Sequence, residues 1–175
     1  VLSLEEAMAE RPTRVHPEAI EYPLPIGADA ARNLAASAAG SIGDVERAFL
    51  DADVIIDRTY TTSRVQCTPL EPHVVYTRMD GDRLIIHAST QVPWHLRRIV
   101  SRVLGIGENR VRVVKERIGG GYGSKQDILL EEVCAFATLL TGRPVFHKYT
   151  REEEFIAATT RHPFRMTVKI GGKKD

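Results

Sequence analysis

Four glycines fall within five positions of the stretch RIGGGYGSKQD, residues 117–127. Glycine is costly to order, and it is used where the backbone φ must be positive or where another group approaches the main chain closely. A phosphate loop, a dinucleotide loop, a tight turn and a loop laid against a bulky cofactor all have this requirement. The stretch is therefore a candidate binding loop, and a plain strand-to-helix turn is the structural alternative.

Two nucleotide-binding motifs do not fit this stretch. A Walker A loop ends in Gly-Lys-Ser/Thr, whereas Lys125 follows Ser124 and precedes Gln126, so no hydroxyl stands where magnesium would need it. A dinucleotide fingerprint requires an acidic residue at the end of a partner strand, and the acidic residues 152–154 open a predicted helix instead. A P-loop-like nucleotide binder stays only as a minor alternative. We interpret Lys125 as the partner of an acidic side chain.

Length and composition limit the classes of protein that the chain can represent. Its 175 residues suffice for one domain, or for one domain and an arm, and 43% of them are hydrophobic. The 24 basic and 23 acidic residues nearly balance and form no basic stripe, which excludes nucleic acid as the main partner. No apolar run is long enough for a membrane span and no signal peptide is visible, so we expect a cytoplasmic protein with no membrane partner. The ends lead us to expect a piece of a longer polypeptide.

Neither the cysteines nor the histidines form a metal-binding pattern. Cys67 and Cys134 are interpreted as reduced thiols. The six histidines are scattered along the chain, and each is interpreted as a surface or packing residue. Glu71 is interpreted as part of a surface turn, with a second polar group near the site as the alternative.

The hydrophobic pattern predicts an α+β fold, a two-layer α/β sandwich on a mixed sheet with an extended N-terminal arm. Residues 1–40 form the arm, with a short helix at 2–10 and prolines at 12, 17, 23 and 25, and residues 41–175 form the domain. Strands are predicted at 54–62, on both sides of Asp80-Gly81, at 111–118, at 143–149 and at 164–170. Helices are predicted at 43–53, 92–105, 126–142 (the longest) and 150–160. The glycines then follow a strand, at the strand end where ligands tend to bind.

Eight segments occur in the order and at the spacing of one family: GDVERAFLDAD, PLEPH, STQ, LGIGENRVRVV, GGGYGSKQ, TGRPV, TREEEF and TRHPF. Over residues 43–171, and more loosely in the arm, the chain resembles the molybdenum-binding large subunit of the xanthine dehydrogenase and aldehyde oxidase family. The sequences of these segments are most similar to those of bacterial xanthine dehydrogenases. The resemblance implies a fragment that covers the first molybdopterin-binding domain.

The resemblance also implies roles for five residues. In the family the glycine loop lies against the molybdenum centre, which implies that Gly121, Tyr122 and Gly123 bind the cofactor. Gln91, in the STQ segment, would bind it as well, and Gln91 and Tyr122 would contact the metal through the oxo ligands of molybdenum. Tyr122 stands where the family usually has Phe. Gln126 stands where purine-oxidising relatives have a substrate-binding glutamate, so the exact substrate stays open.

The resemblance places the remaining machinery elsewhere. It implies no catalytic residue in this chain, because the family's base lies downstream. The cofactor of the full enzyme would be molybdenum–molybdopterin in its cytosine dinucleotide form, with iron–sulfur clusters and FAD in other domains or subunits and none bound to this fragment. Expected partners are the other domains of the large subunit, the iron–sulfur and flavin subunits, and a small-molecule substrate.

The expected function is a share in the oxidative hydroxylation of a purine, another azaheterocycle or an aldehyde. The isolated chain is expected to be inactive. The alternative is a non-catalytic module for assembly or cofactor delivery in such an enzyme.

Overall fold

A computed structural model describes residues 3–15 and 26–174. The predictions for Pro17, Pro23 and Pro25 lie outside the described residues. The chain divides into two compact units, one of residues 58–168 and one of residues 1–57 and 169–175. The division into an arm at 1–40 and a domain at 41–175 stays a prediction.

The described helices and strands follow the predicted order closely. The α-helices are α1 Leu4–Ala7, α2 Val45–Leu50, α3 Pro93–Leu104, α4 Glu131–Thr141 and α5 Arg151–Ala157. The strands are β1 Val54–Thr61, β2 Val65–Gln66, β3 Val74–Asp80, β4 Arg83–Ala88, β5 Val111–Val114, β6 Val145–Lys148, β7 Thr160–Arg161 and β8 Arg165–Gly172. Single 3-10 turns occur at Ala30–Arg32, Glu108–Arg110 and Ser124–Gln126.

A four-stranded sheet in the order β5-β4-β3-β6 is the centre of the unit of residues 58–168. It is mixed, as predicted, because β4 and β5 are parallel while β3 is antiparallel to β4 and to β6. Helices α3 and α4 contribute to its core, and the buried apolar residues are Val75, Leu84, Ile86, Ala88, Leu96, Val100, Val111, Leu130, Cys134 and Ala135. Burial raises the pKa of the Cys134 thiol, and the nearby carboxylates of Glu131 and Glu132 raise it further.

Local residues explain where the elements of this sheet begin and end. The β3–β4 hairpin turns at Gly81, between the paired residues Asp80 and Arg83. Helix α3 has Pro93 in its first turn and ends at Gly105, which adopts the left-handed conformation. These turn and cap residues agree with the hydrophobic pattern, so the two kinds of sequence information predict the same elements.

Several predicted boundaries are wrong. Helix α4 begins at Glu131 rather than at 126 and is shorter than α3, with 11 residues against 12. The Glu131 carboxylate accepts the N–H groups of Leu129 and Leu130 (both 3.1 Å), which holds the preceding segment outside the helix. Strand β5 ends at Val114 rather than at 118, and α5 ends at Ala157, before the short strand β7. The helix predicted at 2–10 is the single turn α1, capped by Ser3.

Strands β1 and β8 form a separate two-stranded sheet, here called the ribbon. Every residue of both strands is exposed. The short strands β2 and β7, absent from the sequence prediction, also pair with each other. Within the described ranges no helix is long and apolar enough to cross a membrane.

Candidate functional site

The glycine loop, residues 119–123, follows β5 and is fastened where it begins. The main-chain N–H of Gly119 donates to Glu71 Oε2 (2.9 Å), and its carbonyl accepts from the N–H of Glu71 (3.2 Å). A Cβ added at Gly119 would stand 2.6 Å from Glu71 Cβ, so only glycine allows this approach. Lys125, just beyond the loop, donates from Nζ to the same Glu71 oxygen at 2.6 Å. The prediction that Lys125 pairs with an acid is confirmed, and Glu71, which was expected in a surface turn, lies in a bend and in addition holds the loop.

Gln91 fastens the middle of the loop. Its Oε1 accepts the N–H of Gly123 at 3.0 Å, and a Cβ at Gly121 would collide with the same side-chain amide. Because a main-chain N–H only donates, the atom that faces Gly123 must be the amide oxygen. The –NH₂ of Gln91 then has no acceptor among the residues that the structure describes, and it stays free to donate to a ligand.

The main chain of the loop has positive φ angles at three residues and leaves two of its N–H groups without an acceptor in the described part of the chain. Gly120, Tyr122 and Gly123 have φ of 93°, 53° and 96°. The Tyr122 carbonyl accepts from Arg161 Nη2 (3.2 Å) and from the Cys67 thiol (3.6 Å). The N–H groups of Gly121 and Tyr122 have no acceptor in the described part of the chain. The Gly121 carbonyl, which belongs to the same peptide as the Tyr122 N–H, accepts from the N–H and the hydroxyl of Ser124 (both 2.9 Å), so the Tyr122 N–H points away from that contact.

A buried histidine–carboxylate pair that the sequence did not predict lies next to Ser124, just after the loop. His73 Nδ1 is 2.9 Å from Glu154 Oε1, and the two side chains are 4% and 0% exposed. The other ring nitrogen of His73 is 3.2 Å from the carbonyl oxygen of Ser124. His73 comes from the PLEPH segment and Glu154 from TREEEF, so their presence in two of the eight segments was the only sequence indication of this pair.

The predicted site residues do not all come together. Gln91, Gly121 and Gly123 are in direct contact, and Tyr122 is 64% exposed on the loop. Gln126 is exposed at the end of a 3-10 turn rather than at the start of the long helix, and its side chain contacts none of the other described residues through a hydrogen bond.

A cleft of about 1100 Å³ lies beside the loop. Tyr122, Gly123 and Ser124 form one part of its wall, and Cys67, Asp127 and residues of β2, α5 and β7 form another part. Arg64, Arg161 and His162 also line the cleft. In the described ranges no group of three or more His, Cys, Asp or Glu side chains is placed to bind a metal ion directly. A metal at this site would therefore have to arrive within a cofactor.

The free donors match an anionic cofactor. Gln91 contacts Gly121 and Gly123, the two neighbours of Tyr122 in the sequence. The –NH₂ of Gln91 and the N–H groups of Gly121 and Tyr122 therefore belong to one small region. Oriented N–H groups of this kind bind anionic oxygens, and the absence of a Cβ at Gly121 lets the Gln91 amide lie directly against the main chain. The residues present thus fit a cofactor that carries a metal and anionic oxygens.

Comparison with known proteins assigns the family. A family model described as a molybdopterin cofactor-binding domain matches residues 27–175. The chain belongs to this family, as the resemblance predicted, and its cofactor class is the molybdenum cofactor.

Relatives and solved structures agree with that assignment. The chain is 54% identical to the "Probable hypoxanthine oxidase XdhD" of Escherichia coli (strain K12), over 100% of this chain and 21% of the relative. It is 38% identical to the xanthine dehydrogenase molybdenum-binding subunit of Escherichia coli O157:H7, over 82% of this chain and 19% of that protein. The aldehyde oxidoreductase of Desulfovibrio desulfuricans superposes with a TM-score of 0.74 at 25% identity, over 98% of this chain and 18% of that one. The chain thus spans about a fifth of the length of these curated relatives.

Proposed function

We propose that this chain is part of a molybdenum hydroxylase in which Gln91 and the glycine loop line the molybdenum–pterin site. The observation that carries the proposal is the orientation of the Gln91 amide. Its oxygen is held by the Gly123 N–H at 3.0 Å, which leaves the –NH₂ as a fixed donor beside Gly121 and Tyr122. A donor that is already oriented loses little further conformational entropy when it binds an anionic group.

The cofactor, when bound, supplies the oxidation chemistry, and the residues of this chain bind and orient it. Gln91 –NH₂ and the N–H groups of Gly121 and Tyr122 donate to its oxygens. The hydrogen bond from Arg161 to the Tyr122 carbonyl fixes the peptide that carries the Gly123 N–H, which is the donor that holds the Gln91 amide oxygen. The cofactor is proposed to be the cytosine dinucleotide form.

The proposed substrate is a purine, another azaheterocycle or an aldehyde. The similarity to a hypoxanthine oxidase and to a xanthine dehydrogenase subunit supports a purine, and hypoxanthine is the first compound to test. Gln126 is proposed to bind the substrate, because a neutral amide both donates and accepts without adding negative charge near an anionic cofactor. The base, the iron–sulfur clusters and the flavin belong to other domains or subunits in this proposal.

The Gln91→Glu variant of the full-length enzyme tests the proposal. Glutamate keeps an oxygen for the Gly123 N–H but loses the donor, so kcat/KM on hypoxanthine should fall by about 10- to 100-fold at matched molybdenum content, as for a lost hydrogen bond to a charged group. Glu108→Gln is the control, since Glu108 is exposed and pairs only with Arg97 among the described residues. An unchanged kcat/KM in Gln91→Glu would contradict the proposed role of the donor.

The proposed role of Gln126 has its own test. Gln126→Ala should lower kcat/KM on an azaheterocycle by the equivalent of ~1–3 kcal/mol with molybdenum content unchanged. Wild-type kinetics on every substrate that the parent accepts would leave Gln126 as an exposed turn residue. The isolated 175-residue chain is proposed to be inactive and free of molybdenum, and stoichiometric molybdenum in the purified chain would contradict this.

A further inference from the structure

The carboxylate of Glu71 contacts both ends of the loop region through a single oxygen. Glu71 Oε2 accepts from the Gly119 N–H at 2.9 Å and from Lys125 Nζ at 2.6 Å. Gly119 opens the glycine loop, and Lys125 follows it by two residues. One oxygen therefore joins two points that are six residues apart in the sequence.

The contacts continue from Lys125 to the proposed donor. The Lys125 carbonyl accepts the main-chain N–H of Gln91 at 2.8 Å, and Gln91 Oε1 in turn accepts the N–H of Gly123. Together with the loop itself, these bonds close a ring of contacts from Glu71 through Lys125 and Gln91 to Gly123 and back to Gly119. A displacement of Lys125 must therefore be transmitted to the backbone of Gln91.

The two partners of the ion pair differ in their access to water. The side chain of Lys125 is 0% exposed, whereas that of Glu71 is 29% exposed. Among the described residues, Lys125 Nζ has no hydrogen-bond acceptor besides Glu71 Oε2. Loss of the carboxylate would leave a buried, unpaired ammonium group, while loss of the ammonium would leave a carboxylate that water can reach.

We propose that Glu71 is a positioning residue, which fixes the glycine loop through Lys125 and thereby aims the Gln91 amide at the cofactor. Glu71 makes no contact with the free –NH₂ of Gln91, and its effect passes through the ring of contacts. Neutralising Glu71 should therefore disorder the loop and disturb Gln91, and removing the Lys125 charge in the same molecule should reverse much of that effect.

Amide hydrogen exchange of the cofactor-free full-length enzyme tests the structural part. In Glu71→Gln, peptides that cover residues 119–126 should exchange about tenfold faster, while those of strands β3 and β4 are unchanged. The double variant Glu71→Gln/Lys125→Met should return to within about threefold of wild type, because no buried charge is left unpaired. Glu108→Gln, which removes a carboxylate from the exposed pair with Arg97, should leave the loop unchanged.

Wild-type loop exchange in Glu71→Gln, or a double variant as fast as the single one, would overturn the proposal. If Glu71→Gln does not fold, Lys125→Met alone decides, since it should fold and its loop amides should exchange faster than those of the wild type. Loop exchange equal to wild type in Lys125→Met would overturn the proposal too.

A double-mutant cycle on turnover tests the positioning part, which rests on the proposed function. Glu71→Gln should lower kcat by about tenfold with little change in KM, and it should have no further effect when Gln91 is already Glu. Independent, multiplicative losses would show that Glu71 does not act through Gln91. If the wild-type enzyme has no hydroxylase activity, the proposed function fails, and the exchange experiment still decides whether Glu71 holds the loop.

Discussion

The four-stranded sheet and the ribbon are built from similar sequences but differ completely in burial. Strand β4 reads RLIIHA, and Leu84, Ile85 and Ile86 are at most 3% exposed. Strand β1 reads VIIDRTYT, and its first three residues are 46–51% exposed. Helices α3 and α4 contribute Leu96, Val100, Cys134 and Ala135 to the core of the four-stranded sheet. The difference teaches that a run of β-branched residues predicts a strand, while other elements decide whether that strand is buried.

The largest effect expected from this difference is in the free energy of unfolding. Ile86→Ala should destabilise the chain by about 2–5 kcal/mol, because it removes three buried carbons and leaves a cavity. Ile56→Ala should cost about 1 kcal/mol or less, because Ile56 is already 51% exposed. Urea unfolding of the two variants and the wild type measures both values. Equal losses would show that the ribbon is as well packed as the sheet.

Two threonine pairs offer a matched comparison of intermediate size. Thr77 Oγ1 is 2.7 Å from Thr138 Oγ1 in the core, where both residues are 0% exposed. Thr59 Oγ1 is 3.0 Å from Thr167 Oγ1 across the ribbon, where both are exposed. Thr77→Val should cost about 1–3 kcal/mol because the Thr138 hydroxyl loses its partner away from water, whereas Thr59→Val should change stability by about 0.5 kcal/mol at most. A costly Thr59→Val would show that the ribbon hydroxyls are shielded from water.

The smallest expected effect is on the pH dependence of stability, and it comes from an exposed hydrogen bond in the unit of residues 58–168. Thr150 and Glu153 form a capping box on α5, and the hydrogen bond from the Thr150 N–H to the carboxylate lowers the pKa of Glu153. A carboxyl whose pKa is lower in the folded state stabilises the fold at higher pH, and this contribution is lost as the pH falls below the ordinary value of 4.5. Glu153→Gln should therefore flatten the acid side of the profile of unfolding temperature against pH. Glu152→Gln, one residue earlier, should not, and parallel profiles for all three proteins would contradict the assignment.

Local sequence information predicted the elements well because their determinants are close in the chain. Asp80-Gly81 marks the hairpin, and Pro93 and Gly105 bound α3. The pairing of Val65 with Arg161 could not be predicted, because two-residue strands have no periodicity and their partners are distant. The start of α4 was misplaced because the Glu131 side chain competes for the N–H groups of the residues before it.

The candidate site could be predicted only in part, because some of its contacts join residues that are far apart in the sequence. The glycine loop and Gln91 stand out by residue type and by their family resemblance. The acid that pairs with Lys125 was expected, but Glu71 lies 54 positions away, and no local pattern connects them. The pair of His73 and Glu154 was missed because the two residues are separated by 81 positions, and single charged residues give no sign of burial.

The ribbon also has a consequence for biosynthesis. The strands of the four-stranded sheet come from the continuous segment 74–148, whereas Thr59 and Thr167, which face each other in the ribbon, are 108 positions apart. During translation β1 therefore leaves the ribosome long before β8. We expect the four-stranded sheet to form first, while Val54, Ile55 and Ile56 still have no partner strand. An apolar strand with open edges is a target for chaperones and for aggregation. Ribosome-stalled chains that end before β8 should bind a hydrophobic-segment chaperone through β1, and charged replacements of Ile55 and Ile56 should abolish that binding without affecting protease resistance of the segment 74–148.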